Sequence, residues 1–366
     1  MRLQLLKETF GYHRGVVFLC LSIFIFSLGM GAIAPVLPLF ADQEFQVNRT
    51  QVGLAVGLFG IARLFTGLPA GYLTQRYGRR FILTVGTVIN LLGAVMVALS
   101  FSFVWLVGWR FVSGLGASMY TTGVSVYLRD MSTIENRARF LSLQEMSILV
   151  GQSLGPIAGG YIGEVFGLRM PLFLQSVLIL AALIVISAWV PETSPRPPSD
   201  ELQHQGQGTP RPQHTPSGAL RGLLFSPAFI FVGLFGLMIV ANRQGGRFSV
   251  MPLFGEAKGF GPDQLGLWIS LTHFPQFFTT MAAGFLSDRF GRKFTIVPAV
   301  VLIVLGIVVF AQSETLVDLL LSGVLLGLGE GLAGPPSVAF SPILHRPGWR
   351  VLLWGCSGPS AEGGQW

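Results

Sequence analysis

Gly284-Phe285-Leu286-Ser287-Asp288-Arg289-Phe290-Gly291-Arg292-Lys293 stands between two long apolar runs, and Gly71-Tyr72-Leu73-Thr74-Gln75-Arg76-Tyr77-Gly78-Arg79-Arg80 stands between two others in the first part of the chain. Gly114-Leu115-Gly116 returns as Gly327-Leu328-Gly329 at the same offset, and Pro38-Leu39-Phe40 returns as Pro252-Leu253-Phe254 at nearly that offset. Three matches at one spacing mark an internal repeat. Two copies of one helical unit flanking a central site is a common construction of secondary transporters.

The surroundings of these loops fix the class of protein. Of 366 residues, 51% are hydrophobic and only 11% charged, with a mean hydropathy of +0.63. A soluble domain carries roughly 25% charged residues to coat its surface, so a soluble enzyme is excluded on composition. A helix needs about 20 mostly apolar residues to cross a bilayer while satisfying its own backbone hydrogen bonds. Ten segments qualify, near 16–40, 52–73, 81–100, 103–127, 141–162, 170–190, 228–250, 264–286, 294–312 and 317–340. The first is too long for a signal-peptide core and lacks a cleavage site, so it reads as a retained span.

One connection is long. Pro191 to Pro216 holds seven prolines among Gln, His, Ser and Gly, which cannot bury enough surface to fold and reads as a linker. The expected organisation is a six-helix half at 1–190, a linker at 191–225, a four-helix second half at 226–340 and an atypical tail at 341–366.

Charge gives the topology. With the N-terminus inside, 17 Lys and Arg fall in inner segments and three, Arg49, Arg169 and Lys258, in outer loops. This is the positive-inside pattern, and it places the N-terminus and linker in the cytoplasm. The net charge of +7 therefore reports topology and not a nucleic-acid-binding face. Cys20 and Cys356 have no metal-ligand spacing, and no cofactor motif or catalytic constellation appears in the spans.

The loop G-x-L-x-D-R-x-G-R-K resembles the cytoplasmic loop motif of the major facilitator superfamily, and the likeness extends over almost the whole chain. The resemblance implies an all-α membrane bundle and a latch in which Asp288 meets the start of the fifth span near Arg137 and Arg139. Gly71, Gly78, Gly284 and Gly291 permit tight turns, and Arg76, Arg79, Arg80, Arg289, Arg292 and Lys293 anchor the loops inside. Gln75 replaces the acid in the first copy, so that latch should be weaker. The fourth span carries Arg110 in L-x-x-x-R-x-x-S-G-x-G-A, similar to the family's arginine motif linked to proton coupling. The fifth carries Gly151, Gly155, Pro156, Gly159 and Gly160, similar to the antiporter signature of its drug exporters. Physically, small residues four apart let helices touch, and a proline removes one backbone donor.

Other polar residues within the spans are cavity candidates: Arg63, Asn242, Arg243, Arg247, His273, Gln276 and Glu330. Arg243 and Arg247 lie four apart on one helix face and suit an anionic group, though Arg247 also has the reach to snorkel outward. Glu330 is the acid nearest mid-membrane and so a proton-carrier candidate, or a counter-ion for Arg63 or Arg110.

Measured against the repeat, two spans should follow the tenth, and the stretch from Ser341 to Trp366 contains no apolar run long enough for one. The expectation is a chain two helices short of twelve. Its expected function is alternating-access export of a small organic compound in exchange for protons, by a monomer in the cell inner membrane, without cofactors or nucleic acid. The alternatives are a truncated, non-transporting protein and a transporter of a small organic anion.

Overall fold

The computed structural model describes residues 14–132, 137–192, 241–290 and 292–333, and every regular element among them is helical. The N-terminal half comprises α1 (Arg14–Ala32), α2 (Val36–Phe45), α3 (Arg49–Tyr77), α4 (Arg79–Ala98), α5 (Phe103–Met131), α6 (Arg137–Phe166) and α7 (Met170–Trp189). Further along the chain come a π-helical segment (Ala241–Val250), α8 (Met251–Ala257), α9 (Pro262–Phe290), α10 (Arg292–Gln312) and α11 (Leu316–Ala333).

Local chemistry explains the breaks. Pro35 has no N–H, so the ladder between α1 and α2 is carried by a turn in which Ala34 donates to Gly31 and Val36 to Ile33. The first predicted span is thus two helices, although Gly15–Phe45 remains one apolar rod. At the start of α3, Asn48 accepts from the backbone of Gln51 while the Gln51 side chain accepts from Asn48 N–H, a capping box. Gly78 separates α3 from α4 at φ 96°, a left-handed conformation that glycine takes without strain.

Among the described residues, six helical stretches are long and apolar enough to cross a membrane: Gly15–Phe45, Arg49–Gly67, Arg79–Ala98, Met170–Trp189, Thr295–Gln312 and Leu316–Ala333. α5, α6 and α9 have 29, 30 and 29 residues, long enough to span but richer in polar residues and glycine. Those three carry most of the motif residues. The seventh predicted span, 228–250, is described only from Ala241, and its helix continues past 250 to Ala257 because Pro252 falls where α8 starts and is tolerated there.

The internal repeat is visible in the packing. A Cβ on Gly114 of α5 would meet Phe59 and Ala62 of α3, and one on Gly327 of α11 would meet Thr272 of α9, the repeat counterpart of Phe59. Gly116 faces Gly86 and Asn90 of α4, whereas Gly329 faces Ala299 and Ile303 of α10, which are the counterparts of Gly86 and Asn90 at the same offset. Gly93 against Ser113 and Gly306 against Leu326 repeat the relation. Backbone approaches this close exclude any side chain, which is why these glycines recur at one spacing.

The glycine motif of α6 lies on α1. Gly151 approaches the Phe24 carbonyl and Ser27, Gly155 the Leu28 carbonyl, and Gly159 the Ala32 carbonyl. Pro156 and Gly160 turn to the other half, where Gly266 of α9 meets the Pro156 carbonyl and Gly160 meets Pro262. An apolar cluster of Ala41, Val52 and Leu253, with Val47 against it, joins the halves.

Candidate functional site

Three helical elements of the second half bring together a buried charged cluster. Arg247 from the π-helical segment and Glu330 from α11 form an ion pair, Nη2 to Oε2 at 2.5 Å, with both side chains 2% exposed. Arg247 therefore turns inward and does not snorkel, and the counter-ion of Glu330 is Arg247 and neither Arg63 nor Arg110. The reason is local: the wide turn of the π-helix aims Arg247 at the packed interior, and Glu330 sits among Gly327, Gly329 and Gly331, which bring α11 close to α9 and α10.

His273 of α9 completes the cluster. Its Nδ1 lies 2.8 Å from the Ile269 carbonyl, which can only accept, so Nδ1 carries the proton. Its Nε2 lies 3.4 Å from Arg247 Nη1, where a neutral imidazole would accept from the guanidinium. Gln276, one turn further along α9, is buried, and its Oε1 accepts no hydrogen bond.

The first half holds its cations differently. Arg110 of α5 is 4% exposed, with its guanidinium 4.6 Å from the centre of the Phe59 ring of α3. Its Nε has no hydrogen-bond acceptor among the described residues. Arg63, one helical turn after Phe59, is half-buried, and its carbonyl accepts from Ser118 of α5 at 3.1 Å. Neither arginine joins a salt bridge among the described residues. An arginine at mid-span costs about 2.5–3.5 kcal/mol on insertion scales.

The first loop motif is a clasp. Arg79 is 8% exposed and pairs through Nε with Asp130 at the end of α5, at 2.5 Å. The Glu192 carboxylate accepts from the backbone of Arg79 at 2.9 Å and of Arg80 at 3.2 Å, capping the N-terminus of α4 where a negative charge is favoured. Arg80 donates to the Ser187 carbonyl. Arg76 is exposed beside Tyr77. Sequence reasoning missed Asp130 and Glu192, whose only signal was an acid at each end of the neighbouring spans. The side chains of Gln75, Arg137, Asn242, Arg243, Gly284, Asp288, Arg292 and Lys293, together with Gly291, lie outside the described residues, and so does the expected latch at Asp288. Arg289 is exposed.

The family model of the Major Facilitator Superfamily matches residues 19–342. The chain belongs to the major facilitator superfamily. Among curated members, it is 26% identical over 274 residues to multidrug resistance protein 1 of Bacillus subtilis, covering 75% of this chain and 66% of that protein. It is 22% identical over 345 residues to an uncharacterized MFS-type transporter of Methanocaldococcus jannaschii, covering 93% and 86%. The match to the quinolone resistance protein NorA of Staphylococcus aureus is 27% over 173 residues, or 47% of this chain and 44% of that protein. The aligned region thus spans about two thirds of the Bacillus relative and less of NorA. Among solved structures, an inward-facing, unoccupied bacterial homolog of the human lysosomal transporter Spinster superposes with a TM-score of 0.73 at 19% identity, covering 93% of this chain and 77% of that one. A D-xylose–proton symporter superposes at 0.67 and 18%, covering 89% and 82%. The superfamily fold, an integral-membrane helical bundle and not an enzyme scaffold, is therefore shown for this chain.

Proposed function

We propose that this protein is a secondary transporter that exports a small organic compound in exchange for protons by alternating access, and that Glu330 carries the proton. The observation that supports this reading is the buried Arg247–Glu330 pair beside His273. With Glu330 ionised, the pair carries no net charge. Adding one proton to Glu330 removes the ion pair, and breaking one side of such a buried pair costs about 3–5 kcal/mol. A bias of about 5.5 kcal/mol carries a two-state equilibrium from 1:99 to 99:1, so this single proton has most of the energy needed to switch the halves. Multidrug resistance proteins among the relatives support export and a small organic substrate.

The test uses the full chain in proteoliposomes. Wild-type protein should show substrate flux driven by a pH gradient. Glu330→Gln should lose gradient-driven accumulation while retaining substrate exchange at equal pH. Gradient-driven accumulation persisting in Glu330→Gln would remove Glu330 from the coupling, and absence of any flux from wild type would remove the transport reading itself.

A further inference from the structure

We propose that His273 is a positioning residue: fixed by its own helix, it holds the Arg247 guanidinium in the orientation that engages Glu330. This deepens the transport reading above, and its role in coupling rests on that reading.

The ring is set before it meets Arg247. Its Nδ1 lies 2.8 Å from the carbonyl of Ile269, one turn earlier on α9, and the Phe248 ring stacks on it with centroids 6.4 Å apart and planes at 29°. Phe248 adjoins Arg247 in the π-helical segment, so the same segment supplies the arginine and a wall for the imidazole. Nε2 then lies 3.4 Å from Arg247 Nη1, while Nη2 meets Glu330 Oε2 at 2.5 Å. The two terminal nitrogens of one rigid, planar fork thus face acceptors on two different helices, α9 and α11. A guanidinium so engaged cannot turn without giving up both contacts. His273 is 1% exposed, so bulk water does not stand ready to replace it. An imidazole also suits the place better than a second carboxylate: in its neutral form it accepts from Arg247 without competing with Glu330 for the charge.

The repeat separates this cluster from the packing of the fold. His273 and Glu330 correspond to Gly60 and Ala117 in the first half, which makes the equivalent helix crossing with no polar group at either position. Around Glu330 the close glycine contacts are to uncharged residues: Ala299 and Ile303 of α10 against Gly329, and Thr272 and Thr279 of α9 against Gly327 and Gly331. The acids of α6, which packs on α9, lie elsewhere. Glu145 is exposed, and Glu164 sits with Asp263 beside Gly261, ahead of the first turn of α9.

Substitution at position 273 tells the two ring nitrogens apart. Gln carries its carboxamide oxygen to about the place of Nε2, whereas Asn reaches only that of Nδ1. The full chain in proteoliposomes is given two labelled probes, ethidium and p-aminohippurate, as an organic cation and an organic anion. His273→Ala should lower gradient-driven accumulation by about fivefold relative to exchange at equal pH, the effect of one hydrogen bond, with His273→Gln restoring it and His273→Asn not. Gln and Asn keep the comparison open should His273→Ala fail to fold. A loss in His273→Gln as complete as in His273→Asn, or an equal fall of accumulation and exchange in every variant, overturns the proposal. Melting temperatures of wild type, His273→Ala, Glu330→Gln and the double variant add a readout that needs no transport. The contacts run from His273 through Arg247 to Glu330, so the double variant should lose clearly less than the sum of the singles. Strict additivity overturns the proposal whatever the flux. Non-additivity without gradient-driven flux of either probe in wild type upholds the placement of Arg247 and removes the transport reading.

Discussion

Gln43, at the end of α2, donates from its carboxamide to the Glu256 carboxylate at the end of α8, and this hydrogen bond ties the first half of the molecule to the second. The same seam holds the apolar contact of Ala41 and Val52 with Leu253. Alternating access requires contacts of this kind to break and re-form, so their strength sets the balance between states. Glu256 lies beyond the end of the seventh predicted span, in the seam between the halves.

Burial pushes the Glu256 carboxyl up from its ordinary value of 4.5, the bond from Gln43 pulls it down, and nearby Asp42 pushes it up again, with a net rise. A carboxyl raised in the closed state contributes stability that is fully present below its ordinary value and is lost as pH rises through the raised one. Closure of this seam is therefore favoured by acid. Melting temperatures of wild type and Glu256→Gln, measured from about pH 4 to 7, should diverge as pH rises, with the wild type falling relative to the variant. Parallel curves would show that this carboxyl plays no part.

The glycines of α6 and α3 should respond oppositely to alanine. At Gly159 a Cβ would sit on the Ala32 carbonyl of α1, which is backbone and cannot swing aside. Gly159→Ala should cost about 1–3 kcal/mol or more and lower the yield of folded protein. At Gly53 nothing lies within 4 Å of such a Cβ. Gly53→Ala should be neutral or stabilise by up to about 1 kcal/mol through helix propensity. Thermal melts of the two variants side by side give the answer.

What the sequence could show was decided by the range of each signal. The repeat, the spans and the glycine contacts come from local patterns, and glycine spacing is legible because a single close approach leaves no alternative residue. Partners across helices are another matter. For Glu330 the sequence offered Arg63 or Arg110 as the arginine to neutralise, and nothing in the order of residues shows that Arg247 turns inward toward it. The Phe59–Arg110 stack is equally hidden, since ring contacts between α3 and α5 depend on their register.

Arg79 and Asp130 are a pair of this hidden kind, and a test of coupling is direct. Both lie where the chain turns back between helices, 8% and 19% exposed. Charge-assisted hydrogen bonds between partly buried groups contribute about 1.5–3 kcal/mol. Arg79→Gln and Asp130→Asn should each destabilise by about that amount, and the double variant should cost clearly less than the sum. Strict additivity in denaturation would mean that the clasp is made by Glu192 and the backbone alone.

The Arg247–Glu330 pair makes a sharper prediction, because it separates a role in stability from a role in transport. Two charges in a low-dielectric interior return little net stability, since desolvation offsets their attraction, yet removing one strands the other. Glu330→Leu and Arg247→Met singly should each destabilise the protein by about 3–5 kcal/mol, whereas the double replacement should regain most of that or exceed wild type. If the pair served only to hold α11 against the π-helical segment, the double variant would also keep gradient-driven flux. The expected outcome is a stable protein that no longer couples to the pH gradient, measured by melting temperature and proteoliposome flux on the same preparation. A stable double variant that still accumulates substrate would assign the coupling proton to another group.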